Sequence, residues 1–324
     1  MADLQPSSRY QTDRATQLQA LGMVFTALDA DGIMVIEAPD TSAKRSSTRA
    51  LENFATLFGL RTTAAVTGFM SDTEQEISFL YDPTRMRAWH DPQGIPAQRH
   101  SCPHGPRFDS SYACDLYADG QMQRMQFSKP PLELALRTAG GSDLRLIGVH
   151  AKSKAPHGAK DAADAIRISL NNRRKQLAEC RWLRERVEDH LRQGDRLMVM
   201  GDFNDGPGLD DYESLFGSSG VELVLGDKAP ENLRLYDPHA VKTASRPMGL
   251  QYSTARFWLA PEQRYFEALL DFIMVSPDLA ARRPDWRIWH PWNDPVCLNT
   301  PELHDALLKA SDHFPVTLDI RLDD

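Results

Sequence analysis

Short apolar runs that stop abruptly at a polar side chain constrain this chain most. Leu197, Met198, Val199 and Met200 lead into Gly201-Asp202-Phe203-Asn204-Asp205. Residues 144–149 lead into His150, and residues 33–36 lead into Glu37. Runs of this length bounded by turn residues read as buried strands, and each delivers a polar group to the rim of a sheet. Near the C-terminus the order is reversed: Ser311-Asp312-His313 precedes the strand-like Phe314-Pro315-Val316-Thr317-Leu318. Hard oxygen donors beside a histidine, carried by buried strands, are what metal-assisted attack on a phosphate ester requires.

Between these runs, strand-like and helix-like windows alternate from end to end, which predicts one domain over residues 1–324. Residues 14–28 have helical apolar spacing with Asp13 as N-cap, and residues 47–58 form a second amphipathic helix closed by Gly59. Residues 33–36 read as a fully buried strand. Strands are also expected over 76–81, 122–127, 132–137 and 144–149, with Gly140-Gly141 as a hairpin turn. A helix is expected over 173–191 and a short one over 210–216. Residues 226–261 read as loop-rich, 268–275 as one strand, and 314–321 as the last. Residues 81–122 form a long polar connection. The strand-dense middle favours two mixed sheets packed face to face with helices outside, over a doubly wound parallel sheet.

Composition narrows function only partly. The 324 residues carry a net charge of −8, so no strongly basic surface advertises nucleic acid. Four cysteines without a Cys-x-x-Cys pair suit a reduced, cytoplasmic protein. Cys102 and His104 in one loop are a weak zinc alternative. No apolar run is long enough for a membrane helix, and residues 1–14 have no apolar signal core.

Each rim residue has a chemical use. Glu37 offers a carboxylate at a strand end. His150 is followed by Lys152 and Lys154, which supply positive field for an oxyanion. Asp202 can orient a water or help hold a metal, and the Asn204 amide can donate to a phosphoryl oxygen. Asp271, inside Leu269-Leu270-Asp271-Phe272-Ile273, is costly in an apolar strand unless it orients a partner such as a histidine. His313 can act as acid, base or imidazolium.

In that order the motifs resemble the endonuclease/exonuclease/phosphatase superfamily, with its deoxyribonuclease-I-like fold. The resemblance spans about Glu37 to Pro315. It includes Glu76-Ile77-Ser78-Phe79-Leu80-Tyr81-Asp82-Pro83, and Ser128-Lys129-Pro130-Pro131 with Lys129 where Arg is usual. It implies a four-layered α/β/β/α sandwich of two mixed β-sheets flanked by helices. It also implies a metal-dependent hydrolase acting on phosphodiesters, DNA or RNA among them, with Mg²⁺ or Mn²⁺, and a small-molecule phosphodiesterase or phosphatase is the alternative. Residue by residue, Glu37 and Asp312 match the metal-site acids, His313 the catalytic histidine and Asp271 the acid that orients it. Asp202 matches the water-activating residue, Asn204 a contact of the phosphate and metal site, and His150 a donor to a phosphate oxygen.

The family opens with a strand ending in Asn, and no such strand precedes Glu37. This motivates three alternatives: a first strand expected upstream of Met1, an enzyme that does without that strand, or a non-catalytic relative that binds phosphorylated ligands or a protein. For the substrate, Arg85, Arg87, Arg99, His100 and Arg107 are a candidate basic wall. Trp258, Trp286, Trp289 and Trp292 are candidates for base stacking.

Overall fold

The computed structural model describes residues 12–71, 73, 75–95, 105–115, 119–207, 217–245, 252–259 and 263–322. Helix α1 (Arg14–Leu28) begins where Asp13 accepts from the Thr16 N–H. Strand β1 (Gly32–Ala38) follows, then α2 (Ser47–Phe58), capped by Ser46 and closed by left-handed Gly59. Next come β2 (Ala64–Thr67), β3 (Glu76–Tyr81), β4 (Met86–His90), β5 (Tyr112–Cys114) and β6 (Gln123–Met125). Strands β7 (Leu132–Thr138) and β8 (Asp143–His150) form the hairpin expected at Gly140-Gly141. Helix α3 (Ala162–Gln193) crosses over to β9 (Leu197–Asp202). The remainder comprises α4 (Gly220–Leu225), α5 (Pro238–Ser245), β10 (Ala255–Leu259), β11 (Arg264–Ala268), β12 (Asp271–Val275), α6 (Pro277–Ala281), β13 (Asp285–Ile288), α7 (Pro295–Asn299), α8 (Pro301–Ala310) and β14 (Val316–Asp319).

Among the described residues, five strands form a mixed sheet in the order β12-β9-β8-β7-β4, with β8 and β9 parallel. A second layer holds the antiparallel sheet β1-β3-β2 and the pair β13-β14. The two layers meet in an apolar core of Ile77 and Phe79 against Leu134, Leu146, Met198 and Ile273. Helix α3 covers the outer face of the five-stranded sheet, packing Trp182, Leu183 and Val187 over Ile147, Val149 and Val199. On the opposite side α2 sets Leu51 and Ala55 on Leu80, and α1 packs against α8. The result is the expected helix–sheet–sheet–helix order.

Several elements differ from expectation. Residues 268–275 are two strands, because Leu269 and Leu270 break the run and Asp271 opens β12. Strand β1 is only half-buried, since its apolar side chains line an open cavity of about 550 Å³. Met34, Ile36, Met200, Val316 and Leu318 contribute to that lining. Strand β1 pairs only with β3, and β14 only with β13, among the described residues. The polar stretch 81–122 contains β4 and β5, and the loop-rich 226–261 contains α5 and β10. Helix α3 starts eleven residues before the expected position 173, and β14 is shorter than 314–321. The short helix expected over 210–216 lies outside the described residues, as do Arg99, His100, Cys102 and His104.

Gly201 has a specific steric reason. Its φ is 136°, and a Cβ there would sit 2.1 Å from the Val149 carbonyl oxygen on the neighbouring strand. Gly201→Ala is expected to lower unfolding free energy by roughly 2–4 kcal/mol. The measurement is a urea titration, and an unchanged midpoint would contradict this close approach.

Candidate active site

Strand register assembles the centre of the site. His150 on β8 is the parallel partner of Asp202 on β9, and Asp202 is the antiparallel partner of Asp271 on β12. Paired residues project from the same face of a sheet. The three side chains therefore stand in one row, at the end of the face that carries Met198 and Ile273 into the core between the sheets. His313 completes the row from the segment before β14, its Nδ1 lying 2.8 Å from Asp271 Oδ2. Ligand-type atoms of Asp202, Asp271 and His313 all lie within 4.8 Å of one another.

Glu37 reaches the same place from the other layer. A bulge interrupts the β1–β3 register between Ile36 and Ala38, and Glu37 there has a φ of 59°. An extra residue in a bulge re-aims its side chain. Ile36 thus stays on the inter-sheet core while Ala38 packs beneath α2, and the Glu37 carboxylate turns toward His150. Its Oε1 lies 3.9 Å from His150 Nε2 and accepts from Gln75 Nε2 at 2.7 Å. Asp202 Oδ2 lies 3.5 Å from the same His150 nitrogen. Glu37 is 56% exposed, and both it and Asp312 stand outside the Asp202–Asp271–His313 cluster. The half-buried Asp312 gives its main-chain carbonyl to the Arg256 N–H at 2.7 Å.

Asn204, at φ 49°, closes a tight turn on Asp202. Its main-chain N–H donates to Asp202 Oδ1 at 2.7 Å, and its Nδ2 donates to Asp202 Oδ2 at 2.8 Å and to the Ala151 carbonyl at 3.1 Å. Its amide protons are thus engaged in holding Asp202. The turn is held from below by Gln176 on α3, which donates to the carbonyls of Phe203 and Asn204.

Electrostatics separate Asp202, His313 and His150. Burial, then the facing Asp271 carboxylate, raise Asp202 well above the usual carboxylate range. Burial pulls His313 down, but Asp271, Asp202 and Asp312 outweigh it and raise the ring to about 10. A protonated imidazole offers a metal no lone pair. The donor set that suits a hard divalent cation is the carboxylates. His150 goes the other way: burial, then the charges of Lys129 and His313, push it to about 3. It is neutral at pH 7, and its Nε2 lies 2.9 Å from Lys129 Nζ.

Sequence reasoning missed three contributors. Lys129 was visible only as a departure from the usual Arg, yet it meets His150, feels the charges of Glu37 and Asp202, and has no carboxylate within ion-pair distance among the described residues. Thr254 Oγ1 donates to Asp271 Oδ2 at 2.7 Å and accepts from the Leu270 and Asp271 N–H groups. Gln75 is the third. Thr254 and Gln75 carry no local signal, since each acts across folded distance. Of the two lysines after His150, Lys154 differs from expectation, because it pairs with Asp205 at 2.8 Å. Arg107 pairs with Asp109, and Arg85 approaches Asp31, so neither is a free cation. Trp289 is buried and Trp286 donates to the Ile273 carbonyl, whereas Trp258 is exposed.

The Endonuclease/Exonuclease/phosphatase family model matches residues 127–313. The chain belongs to that family. The match covers Lys129, His150, Asp202, Asn204, Asp271 and His313 together. No curated protein matches the chain. Among solved structures, it is similar to an AP endonuclease from Archaeoglobus fulgidus, at 11% identity and TM-score 0.49 over 94% of this chain and 95% of that one. It is also similar to the human Nocturnin catalytic domain with bound sulfate anion, at 14% identity and TM-score 0.45 over 95% and 88%. A Bacteroides thetaiotaomicron mannosyl-6-phosphatase aligns at 10% identity and TM-score 0.46 over 95% and 91%. Family membership makes the chain a phosphoesterase-type hydrolase. No helix among the described residues is long and apolar enough to cross a membrane.

The Asp271–His313 pair makes a checkable electrostatic statement. A histidine raised from 6.5 to about 10 adds stability that is complete below pH 6.5 and is lost as pH climbs toward 10. Asp271→Asn is expected to lower the His313 pKa by more than about one unit, measured by NMR titration of the imidazole. An unmoved pKa would show that Asp271 does not hold the proton.

Proposed function

We propose that this chain is a divalent-metal-dependent phosphoesterase that cleaves phosphodiesters by attack of water activated at Asp202. The observation that carries the reading is the register-built row of His150, Asp202 and Asp271, closed by the Asp271–His313 hydrogen bond. Buried Asp202, with its raised carboxyl, takes a proton from water, and the water oxygen attacks phosphorus as the bond to the leaving oxygen breaks. Asn204 holds Asp202 at both carboxylate oxygens for that transfer. His313, kept as imidazolium by Asp271, donates its Nε2–H to a phosphoryl oxygen as charge builds there. Lys129 supplies a second positive group, seated on the neutral ring of His150.

Glu37 and Asp312 would hold Mg²⁺ or Mn²⁺, the ions that hard carboxylate oxygens suit. Glu37 fits this because its exposed carboxylate is turned into the site by the bulge. When bound, the cation would offset charge on the phosphoryl oxygens. DNA or RNA is the substrate class supported by the hairpin β10–β11. Its Phe257 ring lies edge-on to His313 at 5.5 Å, while Trp258 and Tyr265 stand exposed on the hairpin's other face with Arg256 across the Tyr265 ring, a pairing of aromatics and a cation of the kind that single strands stack on.

The test is hydrolysis with Mg²⁺ or Mn²⁺ across single- and double-stranded DNA, RNA and small phosphodiesters. Chelation should abolish turnover, and Asp202→Ala and His313→Ala should each lower kcat/KM by about 10²–10⁴-fold. Activity that survives both substitutions would overturn the assignment.

A further inference from the structure

Helix α3 presents most of one face to the apolar core, yet at intervals of three residues it buries Arg173, Gln176 and Glu179. Arg173 meets Asp205, and Gln176 meets the carbonyls of Phe203 and Asn204. Both therefore brace the turn that carries Asp202. Glu179 braces something else. Its Oε2 accepts from the Lys152 main-chain N–H at 2.7 Å, and its Oε1 accepts from the Ser128 main-chain N–H at a longer 3.5 Å. Those two N–H groups belong to separate loops. One directly precedes Lys129, and the other lies two residues beyond His150. Lys129 and His150 are the pair whose side chains meet at 2.9 Å.

Burying a carboxylate without a cationic partner is unfavourable, and no basic side chain pairs with Glu179 among the described residues. Glu179 is 2% exposed, and burial pushes it up to about 7. A glutamate raised from 4.5 in this way costs the fold stability as pH rises from 4.5 toward 7. Its carboxylate therefore carries a desolvation cost that an apolar side chain would not, and what it contacts is the backbone beside each member of one functional pair.

We infer that Glu179 is a positioning residue that clasps the loops of Ser128 and Lys152 together and so holds Lys129 against His150 in register for the phosphoryl group. Glu179 touches neither substrate nor metal, and it acts through Lys129. This rests on the role proposed for Lys129, so two independent readouts are needed.

The first needs no activity. In Glu179→Gln, amide hydrogen exchange at Ser128 and Lys152 should accelerate relative to wild type, while the β9 amides keep their protection. Unchanged exchange at both loops overturns the clasp, whatever the enzyme does. The second is a double-mutant cycle on the metal-loaded protein. Glu179→Gln should lower kcat/KM roughly tenfold or more in the wild-type background and by less than about twofold in Lys129→Met. A loss that repeats in full in Lys129→Met, or one confined to Tm with kcat/KM kept, overturns the positioning role. If Glu179→Gln does not fold, Glu179→Asp, whose shorter carboxylate keeps the charge, carries both measurements with the same expected directions. A wild-type protein that hydrolyses no phosphodiester would sink the proposed function and leave the exchange result standing on its own.

Discussion

Asp202 and Asp271 lie directly opposite each other across β9 and β12, a placement that like charges disfavour. The rest of the site is organised around relieving that repulsion. His313 places a positive ring against Asp271, Asn204 donates twice to Asp202, and Thr254 donates to Asp271. The repulsion also has chemical value. It helps keep Asp202 a better proton acceptor than an ordinary carboxylate, while the same charges keep His313 protonated. An acid with raised affinity for protons beside a histidine that holds its own is the division of labour that separated pKa values allow.

The opposition is possible because the register of β8, β9 and β12 is specified by packing on both faces. Val199 meets the side covered by α3, while Met198 meets the other sheet. Sliding a strand by one residue would exchange these faces and scatter the row. Gly201 allows β9 to approach β8 closely enough for that register to hold. Helix α3 then braces the loops beyond the strands, with Gln176 under the Asp202 turn and Glu179 under the loops flanking Lys129 and His150. Rigid elements thus position a site that is itself built from strand ends and turns.

Much of this was readable from residue order. Helices α1 and α2 have the expected bounds because their caps, Asp13, Ser46 and Gly59, lie beside them in the chain. The β7–β8 hairpin was legible through Gly140-Gly141 and the apolar runs on either side. The failures share a cause. The residues 268–275 read as one strand because every side chain except Asp271 is apolar, but the backbone at Leu270 and Asp271 is diverted to Thr254. Strand β4 was missed because it is short, exposes both Arg87 and Trp89 and buries only Ala88, so only pairing with β7 makes it a strand. Lys129 sat in a recognised segment without a role, because its contact with His150 spans two loops.

The sequence by itself determined which chemistry was available: carboxylates, amide and imidazoles, each at the end of an apolar run, in an order shared with one family. It also determined the layers, since the apolar periods of 2 and 3.6 residues are local properties. Only the tertiary structure decided who meets whom. It turned Glu37 inward through a bulge, spent the Asn204 amide on Asp202, paired Lys154 with Asp205, and gave His150 a lysine partner. Those outcomes depend on register, burial and the charge of neighbours distant in the chain. Such quantities have no value until the strands are side by side.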